Sequence, residues 1–156
     1  MHWQDSYLLG FNAMDDTHRE FVDCVAALQT AEDADLTARL ADFERHAAAH
    51  FEQEGQWMTS TTFPAAQCHI DEHSAVLSSV REVLALLAAG PRPAIVRDLT
   101  EHLVAWFPGH ADYMDAALSH WMSKRAHGGI PVVLRRGVAR SGVAEDASLN
   151  AEALKP

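Results

Sequence analysis

The chain has 156 residues, 48 % of them apolar, with 22 acidic against 12 basic side chains, 10 His and only 2 Cys. A chain of this length forms one globular domain and buries roughly 68–70 % of its unfolded surface, so neither a disulfide nor a metal is needed merely to hold a core. The formal charge of −10 argues against a nucleic-acid binder, whose affinity comes from Lys and Arg on phosphates.

The opening residues, Met1-His2-Trp3-Gln4-Asp5, carry neither a cationic leader nor an apolar stretch. The longest apolar run, Val83 to Ala89, is far below the ~20 residues of a membrane span. The expectation is a cytoplasmic protein with no membrane insertion. Cys24 and Cys68 show no CxxC spacing and read as reduced, half-buried small residues.

In chain order, Met1 to Ala13 is an arm whose Trp3, Tyr7, Leu8, Leu9 and Phe11 can pack over one end of a core. Asn12, with Asp15 three residues on, predicts a capping box at a helix start. Breaks at Ala31–Asp35, Thr59–Pro64 and Ala89–Pro93 then divide residues 14 to 125 into four helical stretches. The first places Met14, His18, Phe21, Val25 and Leu28 on one face; the second Leu36, Leu40, Phe43, Ala47, His50, Glu54 and Trp57. The third aligns His69, His73, Val76, Val80, Val83 and Leu87, and the fourth Leu99, Leu103, Trp106, His110, Tyr113 and Ala117. Steps alternating between 4 and 3 are the seam by which helices pack at a shallow angle, so the predicted fold is all-α, an up-down-up-down four-helix bundle. Pro108, inside the fourth helix, removes a backbone hydrogen bond and predicts a kink near His110. Gly128-Gly129 and Pro131 end the helical pattern, dividing the chain into a bundle with its arm over 1–127 and a flexible C-terminal extension over 128–156.

Every one of these apolar seams contains histidine, and the second adds a glutamate. Buried imidazoles and carboxylates are costly without partners. The pairs His50/Glu54 and His69/His73 are each i,i+4, so each pair projects from one helix face. Neutral imidazole suits iron, copper, zinc or nickel, and carboxylates can bridge two ions. One ion cannot use five histidines and the carboxylates in ordinary geometry; two ions can. His46 reads as a boundary histidine, His2, His102, His120 and His127 as solvated or ordinarily packed ones, and Asp15, Asp16, Asp71 and Glu72 mostly as solvent-facing charge.

Met14-Asp15-Asp16-Thr17-His18, His50-Phe51-Glu52-Gln53-Glu54, His69-Ile70-Asp71-Glu72-His73 and Trp106-Phe107-Pro108-Gly109-His110, followed five residues on by Asp115, resemble the hemerythrin family, specifically its single-domain bacterial type, over about residues 3–122. The resemblance implies that His69, His73 and His110 hold one iron, that His18 and His50 hold the other, and that Glu54 and Asp115 bridge the two. The implied cofactor is two Fe ions per chain in an oxo- or hydroxo-bridged centre, and the implied partner is dioxygen, bound reversibly. Three imidazoles and three bridges complete six positions on the first iron; two imidazoles and the same bridges leave one position open on the second. Asp115 rests on the resemblance alone, because on an ideal helix it lies roughly 140° around from His110.

The function so implied is a non-haem diiron oxygen carrier, store or sensor, not an enzyme. A diiron oxidase or peroxidase consuming dioxygen, peroxide or nitric oxide, and an iron or zinc buffer without gas chemistry, are the alternatives. The predominance of histidine over glutamate favours binding, since fewer anionic ligands stabilise high-valent iron less.

Overall fold

The structure is a computed structural model that describes residues 1–127; the extension predicted over 128–156 lies outside the described residues. A short 3₁₀ turn at Asp5–Tyr7 precedes α1 (Asn12–Thr30), α2 (Leu36–Ser60), α3 (Ala66–Leu87) and α4 (Pro93–His110). A π-helical turn at Ala111–Asp115 then leads without interruption into α5 (Ala116–His127), and no strand occurs among the described residues. The three loops fall at the predicted breaks. α1 packs on α2 and α4, and α3 on the same two, so the four long helices close the expected bundle.

The seams of α1 to α3 sit inside as their periodicity requires, with Phe21, Val25, Leu28, Leu40, Phe43, Ala47 and Val80 fully buried. At the end of α2 the inward position passes from Trp57, which is half-buried, to Met58, which is fully buried. The reason lies in the cap: Phe63 N–H donates to the Met58 carbonyl at 2.9 Å and Thr62 N–H to the Thr59 carbonyl at 3.3 Å, with Thr62 at φ 57°. Phe63 then packs on Met58, in a small cluster completed by Met14 and Leu118.

The arm is fastened by a residue that the pattern places in solvent. Asp15 is buried; its Oδ1 accepts the Leu9 N–H at 2.7 Å and its Oδ2 the Gly10 N–H at 3.0 Å. This replaces the expected capping box: Phe11 precedes α1, and Asn12 makes no capping bond. Gly10, at φ 81°, supplies the left-handed backbone that turns the arm towards Asp15. Ahead of it, Trp3 packs edge-on against Tyr7 and Tyr7 edge-on against Phe107, which brings the arm onto the core.

The fourth helix departs most from its predicted face. Its buried residues are Val96, Thr100, Leu103, Phe107 and His110, then Ala111, Asp115, Leu118, Ser119 and Ser123, whereas Tyr113 is 81 % exposed and Ala117 also faces water. Beyond His110 the π turn is the cause: the Ala116 N–H donates to the Ala111 carbonyl, an i→i+5 bond that fits one additional residue into the turn. A five-residue step then closes about one turn, so Asp115 stands below His110 rather than 140° away. The helix continues through Pro108, and the irregularity falls three residues later, at Ala111. Cys24 is half-buried as expected, but Cys68 is exposed.

Candidate metal centre

His18 comes from α1, His50 and Glu54 from α2, His69 and His73 from α3, His110 from the end of α4 and Asp115 from the π turn; all seven side chains are buried. They lie between the aromatic core around Phe21, Phe43 and Phe107 and the smaller cluster of Met14, Met58 and Leu118. Two overlapping groups of donor atoms result. One comprises Glu54, His69, His73, His110 and Asp115, the other His18, His50 and Glu54.

In the larger group the three Nε2 atoms form a tight triangle: His69 to His73 is 3.1 Å, His69 to His110 3.1 Å and His73 to His110 2.8 Å. Hydrogen bonding cannot satisfy this triangle, because each ring carries at most one proton on Nε2 and every nitrogen faces two others. A metal can. Three imidazoles at about 2.1 Å from one ion and at right angles to each other have nitrogens about 3.0 Å apart.

The carboxylates divide their oxygens between the groups. Glu54 Oε1 lies 3.0 Å from His50 Nε2, while its Oε2 lies 3.4 Å from His69 Nε2 and 3.7 Å from His73 Nε2. Asp115 Oδ2 lies 3.2 Å from His18 Nε2, while its Oδ1 lies 3.1 Å from His69 Nε2 and 3.3 Å from His110 Nε2. Each carboxylate thus turns one oxygen to the two-histidine side and one to the three-histidine side. Glu54 Oε2, both Asp115 oxygens and His18 Nε2 have no partner with hydrogen-bond geometry. Two buried carboxylates with oxygens left unpartnered are a heavy cost, which divalent cations would remove.

The electrostatics reflect the same crowding. Burial disfavours charge on His18, but the carboxylates of Asp115 and Glu54 outweigh it and raise its pKa to about 9. Burial and the neighbouring His69 and His110 push His73 down to about 2, so it is a neutral donor at any physiological pH. Burial opposes the charge of Asp115 as well, yet His110, His18 and His69 hold its carboxyl well below the usual range.

Aromatic rings wall the centre. Phe51 stacks on His73 with centroids 3.8 Å apart, Trp106 on His110 at 4.3 Å, and Phe107 meets His18 edge-on at 5.4 Å. Such a wall limits water and lowers the local dielectric. Glu72, read from sequence as solvent-facing, is half-buried and accepts hydrogen bonds from Trp106 Nε1 at 2.8 Å and His110 Nδ1 at 3.2 Å. Its position one residue before His73 is the only sequence cue, and periodicity alone turns it away from the seam.

A helical bundle enclosing a buried, histidine-rich set of metal donors is the class that this fold and geometry define. The family model described as the hemerythrin HHE cation binding domain matches residues 9–121, and the chain belongs to the hemerythrin family. A curated bacteriohemerythrin from Ralstonia nicotianae (strain ATCC BAA-1114 / GMI1000) is 35 % identical over 125 residues, covering 80 % of this chain and 90 % of that protein. Hemerythrins are oxygen-binding proteins rather than enzymes, and membership gives this chain a metal-binding, non-enzymatic character. No helix among the described residues is long and apolar enough to cross a membrane.

Proposed function

We propose that the protein is a diiron protein that binds dioxygen reversibly, as a carrier, store or sensor. In this reading His69, His73 and His110 hold one iron, His18 and His50 the other, and Glu54 and Asp115 span the pair. The observation that carries it is the division of carboxylate oxygens: Glu54 and Asp115 each face both histidine groups, with one oxygen 3.0 Å from His50 Nε2 or 3.2 Å from His18 Nε2 and the other turned to the His69 side. A single ion would not need both faces of both carboxylates. Iron held this way supplies the electrons on which reversible dioxygen binding depends.

The chain's own residues set the rest. Three imidazoles crowd one side and two the other, so the His18/His50 side has fewer protein donors and is the side on which a small ligand would bind. Phe107, packed on His18, and Phe21, whose ring lies 6.2 Å from His50, form the apolar wall there. The bacteriohemerythrin relative supports the reading, since the similarity covers 90 % of that protein.

The test is anaerobic loading of the metal-free protein with ferrous iron, followed by dioxygen and then its removal. Two irons per chain and an absorption spectrum that appears and disappears with the gas are expected. A spectrum that stays ferric with reduced product would make the protein an oxidase, and iron uptake without any response to dioxygen would make it a metal buffer.

A further inference from the structure

Among the five site histidines, His110 alone has a carboxylate on the ring nitrogen that points away from the centre. The Nδ1 atoms of His18, His50, His69 and His73 have no hydrogen-bond partner, whereas His110 Nδ1 lies 3.2 Å from Glu72 Oε1. The same oxygen accepts Trp106 Nε1–H at 2.8 Å, and the Trp106 ring stacks on the His110 imidazole with centroids 4.3 Å apart and planes 28° from parallel. One oxygen on α3 therefore fixes two neighbouring rings on α4. The location matters, because His110 follows Pro108, which has no N–H, and immediately precedes the π turn, where the regular i→i+4 hydrogen-bond pattern gives way to i→i+5.

We propose that Glu72 is a positioning residue of the metal centre, which sets the tautomer and orientation of His110 and raises its basicity. With Nδ1 donating to Glu72, Nε2 is left bare towards His69, His73 and Asp115, the state in which imidazole can ligate. A carboxylate behind a ligating imidazole makes it a stronger donor and stabilises the more oxidised metal. Glu72 is 35 % exposed, so this pair also connects one side of the buried centre to the surface, between α3 and α4.

The inference rests on the diiron reading above, and two substitutions separate its parts. In Glu72→Gln the amide oxygen can accept both hydrogen bonds, because both already fall on one oxygen, so geometry is kept and charge is removed. In Glu72→Ala both bonds are lost. The full chain and both variants are loaded anaerobically with ferrous iron in competition with a chelator, and the reduction potential of the loaded centre is measured. The expected results are a 10–100-fold loss of apparent iron affinity in Glu72→Ala, near-normal iron content in Glu72→Gln, and a higher reduction potential in Glu72→Gln than in the parent. Glu52→Gln, an exposed glutamate on α2, serves as the control and should leave both quantities unchanged. Parental affinity in Glu72→Ala, or parental potential in Glu72→Gln, overturns the proposal; a purely structural role would lower melting temperature without moving the potential. Failure of the parent chain to take up iron would instead refute the diiron reading itself.

Discussion

His50 and Glu54 stand one turn apart on α2, and the roles proposed for them can be tested separately from the fold. His50→Ala and His73→Ala should lower iron content while the far-ultraviolet circular dichroism stays helical, because outside the site each seam is Leu, Val, Phe, Ala and Met. Two irons per chain with an unchanged spectrum in both variants would refute the ligand set. Glu54→Gln should damage the paired centre, whereas Glu52→Gln should not, although both change one glutamate on the same turn: Glu54 is fully buried between two histidine groups and Glu52 faces water. Metal stoichiometry and magnetic coupling distinguish the two outcomes. His18 gives a pH dependence with a definite sign. Its pKa of about 9 in the metal-free protein lies above the ordinary 6.5, so the proton stabilises that form fully below pH 6.5, and the contribution is lost as pH rises through 9. The same proton must leave before His18 can ligate. Chelator competition should therefore show iron affinity rising between pH 7 and 9, with proton release on binding that diminishes across the interval.

At the scale of elements, the two irregular points of the bundle, the α2 cap and the π turn, make opposite predictions. Thr62 adopts a left-handed backbone at the C-terminal cap of α2, where glycine has no Cβ to strain. Thr62→Gly should raise stability by about 1 kcal/mol, read as an upward shift of the thermal midpoint. The π turn serves the centre, because it brings Asp115 beneath His110 and turns Tyr113 outward. Tyr113→Ala should be nearly neutral for both melting temperature and iron content, while Asp115→Asn should lower iron content. The arm depends on a single carboxylate: Asp15→Ala leaves the Leu9 and Gly10 N–H groups without their acceptor and should cost about 1–3 kcal/mol in thermal or urea unfolding.

For the whole molecule, every proposed donor precedes residue 116, and among the described residues both apolar clusters are built from residues no later than Met122. We propose residues 1–127 as the folding unit, with 128–156 as a separate extension. A chain ending at His127 should keep its iron and its thermal transition; loss of either would show that the extension contributes to the bundle. Arg97 ties the far end of that unit together, since its guanidinium donates to the Ala31 carbonyl at 2.6 Å and to Asp33 Oδ1 at 3.0 Å, joining α4 to the loop after α1.

The all-α class, the three loop positions and five histidines with one glutamate were legible in the residues themselves, because a 3.6-residue period projects side chains onto a face that can be counted. Asp115 was legible only through the resemblance, since its face depends on a π turn that no periodicity announces. Asp15 and Glu72 escaped for a related reason: each sits off its own helix's seam and acquires a partner from another segment, Leu9 and Gly10 in one case, Trp106 and His110 in the other. What the sequence determined by itself is the set of faces that must be buried and the chemistry they carry inward. Tertiary structure alone decided which polar side chains at the edges of those faces meet a partner, and how one additional residue in a helical turn rotates a carboxylate into the centre, because both depend on distances between segments remote in the chain.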